Sequence, residues 1–181
     1  DYYRLGTMNV AGDKELNVLV LGGTGAVGSA LIRELLQSKT FARVTAAGRR
    51  PVAYDGPGAE RLHQVTLDIE ELLKGESGTD SAEETAQSRL FEGYDIVFCS
   101  MGTTRKQAGS DEAFRRIDRD YVLAAARAAK QHGTRHFLYV SSACANPHSF
   151  LLYPRTNGEI DQELKGIDFP HQSIYEPACL T

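Results

Sequence analysis

A chain of 181 residues fits one domain with a sizeable hydrophobic core, and its 41% hydrophobic and 24% charged content is ordinary for a globular protein. A net charge of −4, with no continuous basic run, offers no general attraction to nucleic acid, and no apolar segment is long enough to span a bilayer. Cys99, Cys144 and Cys179 are odd in number, far apart and free of C-x-x-C spacing, which points to reduced thiols in a cytoplasmic or nuclear setting and away from structural zinc.

Residues 1–14 read as a flexible leader, with Met8 a candidate native start, and no secretory signal precedes the first strand. Val18 to Leu21 is an unbroken apolar run, suited to a strand buried on both faces of a parallel sheet. The segment Gly22, Gly23, Thr24, Gly25, Ala26, Val27 and Gly28 follows it, and a helical pattern through Leu31, Leu35 and Leu36 comes next. Gly23, Gly25 and Gly28 satisfy G-x-G-x-x-G, while Gly22, Gly25 and Gly28 satisfy G-x-x-G-x-x-G. Between a strand and a helix, such glycines give a tight turn, let backbone approach a pyrophosphate, and allow close helix–strand packing. The helix-start amides and dipole then hold the diphosphate, so this segment predicts dinucleotide binding.

Arg43 to Ala47 reads as a second strand ending at Gly48, Arg49 and Arg50. An acidic residue there accepts from the 2′-hydroxyl of NAD, whereas arginine accommodates the 2′-phosphate of NADP. Arg49 and Arg50, with no acid, therefore favour NADP(H) over NAD(H); the alternative is a solvated basic turn. Leu62 to Leu67 predicts a third strand, ending at Asp68, which either faces the adenine edge or caps a short helix over Ile69 to Lys74. His63 is read as a cross-strand packing residue. Residues 75–89, polar and small, read as a surface insertion.

Tyr94 to Cys99 predicts the fourth strand, and Ser100, Met101 and Gly102 at its carboxyl end let a cofactor lie against backbone. Ser110 and Asp111 open a long helix, Glu112 to Gln131, with Phe114, Ile117, Tyr121, Val122, Ala125 and Ala129 as its buried stripe. Asp118, Arg119 and Asp120 are assigned to its charged outer face; the alternative for Asp118 is a brace for the site. His136 to Val140 is the fifth strand, ending in Ser141 and Ser142, and Ser173 to Tyr175 the sixth. The alternation predicts an α/β fold of the Rossmann type, a doubly wound parallel sheet in one domain over residues 15–181.

These residues resemble the short-chain dehydrogenase/reductase superfamily, in its atypical or extended branch, and more narrowly the Tat-interacting oxidoreductase-like proteins. The carriers are GGTGAVG at Gly22 to Gly28, GRR at Gly48 to Arg50, the run CSMGTTRKQAGSDEAFRRIDRDYV from Cys99 to Val122, and Ser141-Ser142 followed by Tyr153. The resemblance implies NADP(H) held by the glycine segment and the two arginines, with Pro177 beside the nicotinamide. It implies a catalytic serine at Ser142, with Ser141 the near alternative, and a catalytic tyrosine at Tyr153. The lysine of the family's Y-x-x-x-K is Asn157 here. A unit charge about 4 Å from the phenol is worth on the order of 4 kcal/mol at an effective dielectric of about 20, or roughly 3 pKa units. Asparagine supplies no such field, and Arg155 points to another helix face.

Pro154 disfavours helix at Tyr153, so the helix is predicted to begin at Pro154 with Tyr153 just outside. The chain stops soon after the sixth strand, which predicts little or no substrate subdomain, or a fragment. The main reading is an NADP(H)-dependent oxidoreductase acting on a small carbonyl or alcohol. The alternative is a weakly active or inactive NADP(H)-binding regulator working through protein partners, and a third is a flavin or quinone reductase.

Overall fold

The computed structural model describes residues 15–76 and 85–177. The expected leader, residues 1–14, lies outside the described residues, as do residues 77–84 of the expected insertion and Cys179. Among the described residues the strands are β1 (Leu16–Leu21), β2 (Phe41–Gly48), β3 (Leu62–Thr66), β4 (Ile96–Cys99), β5 (His136–Val140) and β6 (His171–Tyr175). They form one sheet in the order β3-β2-β1-β4-β5-β6, and every neighbouring pair is parallel. The helices are α1 (Ala26–Gln37), α2 (Ile69–Glu76), α3 (Arg105–Ala108), α4 (Asp111–Arg115), α5 (Tyr121–Gln131) and α6 (Leu152–Lys165), with a π turn over Arg116–Asp120.

The apolar run of β1 is buried on both sides because successive side chains point to opposite faces. Val18 and Val20 pack with Ile32, Leu35 and Leu36 of α1 on one face. Leu19 and Leu21 pack on the other with Val122, Ala125 and Ala129 of α5 and Ile160 and Leu164 of α6. The strand order reverses between β1 and β4, and an open α/β sheet presents its ligand crevice at that reversal, outside the carboxyl ends of the strands. The glycine segment leaves β1 there, opposite the loop that leaves β4.

The helix expected over Glu112–Gln131 is interrupted. Ser110 caps α4 by accepting from the Ala113 N–H at 3.1 Å, and the π turn then joins α4 to α5. The expected outer charged face also needs correction. Arg119 does make the expected local pair, with Asp120 at 2.8 Å, but it also pairs with Glu163 at 2.5 Å, and Arg115 at the end of α4 pairs with Glu159 at 2.6 Å, so these charges clamp α4 and the π turn onto α6. Asp118 points inward and is 6% exposed. His63, expected to pack across strands, lies exposed on the edge strand β3. The helix expected from Pro154 starts two residues earlier, at Leu152, so Tyr153 lies inside it. First-turn positions have no intrahelical N–H bond to lose, and proline is tolerated there.

Phe137 is fully buried and stacks on Phe169 with ring centroids 5.1 Å apart. Phe137→Ala should lower unfolding free energy by about 3–5 kcal/mol, read from urea denaturation, since it removes core area and leaves a cavity.

Candidate dinucleotide site

Gly22 and Gly28 bring the exit of β1 and the start of α1 into contact. Gly22 has φ +80°, and a Cβ there would lie 2.5 Å from the Ser100 carbonyl oxygen. A Cβ on Gly28 would lie 2.3 Å from the Gly22 carbonyl oxygen, so a side chain at either place would push strand and helix apart. Gly25 is the N-cap of α1, and no side chain caps that helix. The first-turn amides of Ala26, Val27 and Gly28 are therefore left for a ligand, beside exposed Thr24 and Gly25. The donor chemistry of this cradle fits a diphosphate.

Gly22, Gly23 and Thr24 share an open cleft with Gly48, Arg49, Arg50 and Val52. Both arginines are exposed, and neither has an ion-pair partner among the described residues. Asp68 is engaged elsewhere: its Oδ1 accepts from the amides of Glu70 and Glu71 at 3.0 and 3.3 Å, which is the helix-capping alternative. Ser100 stands against the glycine turn, with its Oγ donating to the Leu21 carbonyl at 3.0 Å. Met101 follows it, its backbone nitrogen 2.8 Å from where a Gly22 Cβ would be, Gly102 stands against Asp118, and Thr104 with Gln107 forms a capping box on α3.

Ser141, Ser142 and Pro177 meet at the carboxyl ends of β5 and β6. Ser141 donates its N–H to the Tyr175 carbonyl at 2.7 Å, and Ala143 donates to the Pro177 carbonyl at 3.2 Å. Ser141 Oγ donates to Asp161 Oδ2 at 3.0 Å, so that hydroxyl is already committed. Ser142 Oγ lies 3.2 Å from Cys144 Sγ. Tyr153 is 47% exposed, with its ring 6.1 Å from that of Phe114. The Asn157 amide is buried and donates to the Tyr153 carbonyl at 2.9 Å. It therefore ties the first turn of α6 to itself and carries no charge toward the phenol.

Asp118 does not lie on the outer face favoured for it, and its buried position fits the alternative, a brace. Its Oδ2 accepts from the Thr103 N–H at 3.0 Å, beneath the wall after β4. Burial pushes its carboxyl up from an ordinary 3.8 to about 7, against the smaller opposing effect of the Thr103 bond. The signal was spacing: Asp118 falls midway between Phe114 and Val122 at four-residue steps on the buried stripe.

Residues 22–165 match the NAD(P)H-binding family. The chain belongs to that family. HTATIP2 of Rattus norvegicus is 35% identical over 164 residues, which are 91% of this chain and 62% of that protein. FMP52 of Debaryomyces hansenii, named as mitochondrial, is 31% identical over 166 residues, 91% of this chain and 67% of that protein. MoeE5 in complex with UDP-glucuronic acid and NAD has a TM-score of 0.65 at 19% identity, over 87% of this chain and 52% of that one. UDP-glucose 4-epimerase from Thermotoga maritima has a TM-score of 0.66 at 12% identity, over 89% and 55%. The last two share the fold. The resemblance to the Tat-interacting branch holds, as does the Rossmann-type sheet.

The expected cytoplasmic or nuclear location is overturned by the fungal relatives, named as mitochondrial proteins. Unpaired cysteines separate reducing from oxidising compartments and do not separate one reducing compartment from another. Among the described residues no helix is long and apolar enough to cross a membrane.

Because Asp118 binds its proton more tightly folded than unfolded, its stabilising contribution is present below about pH 4 and is lost as pH rises through 7. Asp118→Asn should match the wild type near pH 4 and exceed its unfolding free energy at pH 8 by roughly 3–4 kcal/mol, in urea titrations at both pH values.

Proposed function

We propose that the protein is an NADP(H)-dependent oxidoreductase acting on a small carbonyl or alcohol. The observation that carries the cofactor choice is the pair of exposed guanidiniums of Arg49 and Arg50, without an ion-pair partner among the described residues, in one cleft with the glycine turn. A 2′-phosphate, close to a dianion at neutral pH, would find two forked donors there, and NADH would offer them nothing comparable. The amides at the start of α1 would take the diphosphate, and Ser100, Met101, Gly102 and Pro177 the nicotinamide end.

Bound NADPH would supply the hydride, from nicotinamide C4 to the carbonyl carbon. Ser142 Oγ donates a hydrogen bond to the substrate oxygen, and the Tyr153 phenol delivers the proton that completes the alcohol. Ser141 holds the turn through Asp161. The mitochondrial names of the fungal relatives support a mitochondrial location for this chain too. Asn157 favours a second reading, a weak or silent enzyme that binds NADP(H) and acts through protein partners, because its amide bonds its own helix where the mechanism wants a cation.

Fluorescence titration should give tighter binding of NADPH than of NADH. Replacing Arg49 and Arg50 together by alanine should bring the two affinities within about threefold of each other, and an unchanged ratio would refute the assignment. Asn157→Lys should raise NADPH-dependent reduction of simple carbonyls at least about tenfold, by restoring a positive charge near the phenol. If the native chain already turns over briskly and Tyr153→Phe is silent, the catalytic roles fail.

A further inference from the structure

We propose that Asp118 is a positioning residue for the dinucleotide, fixing the loop from Ser100 to Thr104 against the glycine turn through the Thr103 amide. This rests on the dinucleotide reading above. The loop is pinned at both ends. At one end the Ser100 carbonyl oxygen lies 2.5 Å from where a Gly22 Cβ would be, and Ser100 Oγ reaches the Leu21 carbonyl at 3.0 Å. At the other, Asp118 Oδ2 accepts from Thr103 at 3.0 Å, and a Cβ on Gly102 would stand 3.4 Å from Oδ1. The carboxyl thus sits directly against the backbone that forms one wall of the crevice.

The helix is a π turn at this point, Arg116–Asp120, and such turns are rare and recur at functional sites. An asparagine would satisfy the same N–H without the difficulty of burying an ionisable group. A carboxylate does something an amide does not: its charge-assisted bond is roughly twice as strong as a neutral one. The hold on the loop therefore strengthens as Asp118 ionises.

On the helix of Asp118, Arg115 and Arg119 are paired with Glu159 and Glu163 of α6, and Arg119 also with Asp120. Tyr121 bonds Glu70 of α2. From β5 comes Tyr139, whose phenol burial raises well above its usual range, and from β4 Cys99, whose thiol burial pushes up to about 12. The α6 helix adds Tyr153, which packs on Phe114 one turn before Asp118. One other carboxyl near Tyr139 is raised by burial, Asp161 of α6, and Ser141 Oγ donates to it at 3.0 Å.

The test is fluorescence titration of the intact chain with NADPH from about pH 6 to pH 8, on wild type, Asp118→Asn and Asp118→Ala. Wild-type affinity should rise roughly threefold or more across that range with a midpoint near 7. Asp118→Asn should lose the step centred near pH 7 and keep only the change near pH 6 that the 2′-phosphate imposes on every variant. Asp118→Ala should bind at least about tenfold more weakly than wild type at pH 8 with an unchanged circular dichroism spectrum. If Asp118→Ala does not fold, carboxyl carbon NMR of the wild type decides: saturating NADPH should lower the Asp118 midpoint, because linkage is reciprocal. Equal affinities in the folded variants, or an unmoved midpoint, would overturn the proposal. Absence of any NADPH or NADH binding by wild type would instead overturn the dinucleotide reading itself.

Discussion

The turn between β1 and α1 leaves no room for a side chain at two positions: a Gly28 Cβ would meet the Gly22 carbonyl oxygen at 2.3 Å, and a Gly22 Cβ would meet the Ser100 carbonyl oxygen at 2.5 Å. This contact sets the distance from helix start to sheet edge and keeps the first amides of α1 open at the crevice. Each other part of the site is placed relative to it. The wall after β4 leans on Gly22, the arginines after β2 stand across the cleft from Gly23 and Thr24, and Asp118 fastens the far end of the β4 wall.

The sheet was legible because its signals are local and repeated. The apolar run of β1 implied burial on both faces, and the glycine segment after it implied the crevice; both follow from backbone sterics and side-chain alternation. The cap at Ser110 was legible for the same reason. What escaped was set by tertiary contact. Asp118 was read by its charge when its spacing already put it on the buried stripe, where the Thr103 amide and the raised pKa make its burial tolerable. The start of α6 was read from a proline rule that weakens inside a first turn, where no N–H bond is at stake. The compartment was read from cysteine count, a quantity that speaks of redox state alone.

Around Tyr153 the chemistry is poised between two uses. With Tyr153 inside α6, it and Asn157 share a helix face, which is the geometry that Y-x-x-x-K requires. The shape of the motif is present and its charge is missing. A tyrosine acting as acid–base group at neutral pH is helped by a cation beside it, which stabilises the phenolate, and Asn157 brings none. On the proposed reading, cofactor binding and turnover are separable, the first resting on β1, β2 and α1 and the second on α6.

The most direct test of the cofactor assignment is phosphorus NMR of NADP(H) bound to the protein, following the 2′-phosphate from about pH 5 to pH 8. A free phosphate monoester loses its second proton near pH 6. With two guanidiniums on it, the bound 2′-phosphate should stay dianionic to roughly one pH unit lower, and the Arg49, Arg50 double alanine variant should restore the ordinary midpoint. A bound 2′-phosphate that titrates as it does in free solution would contradict the account.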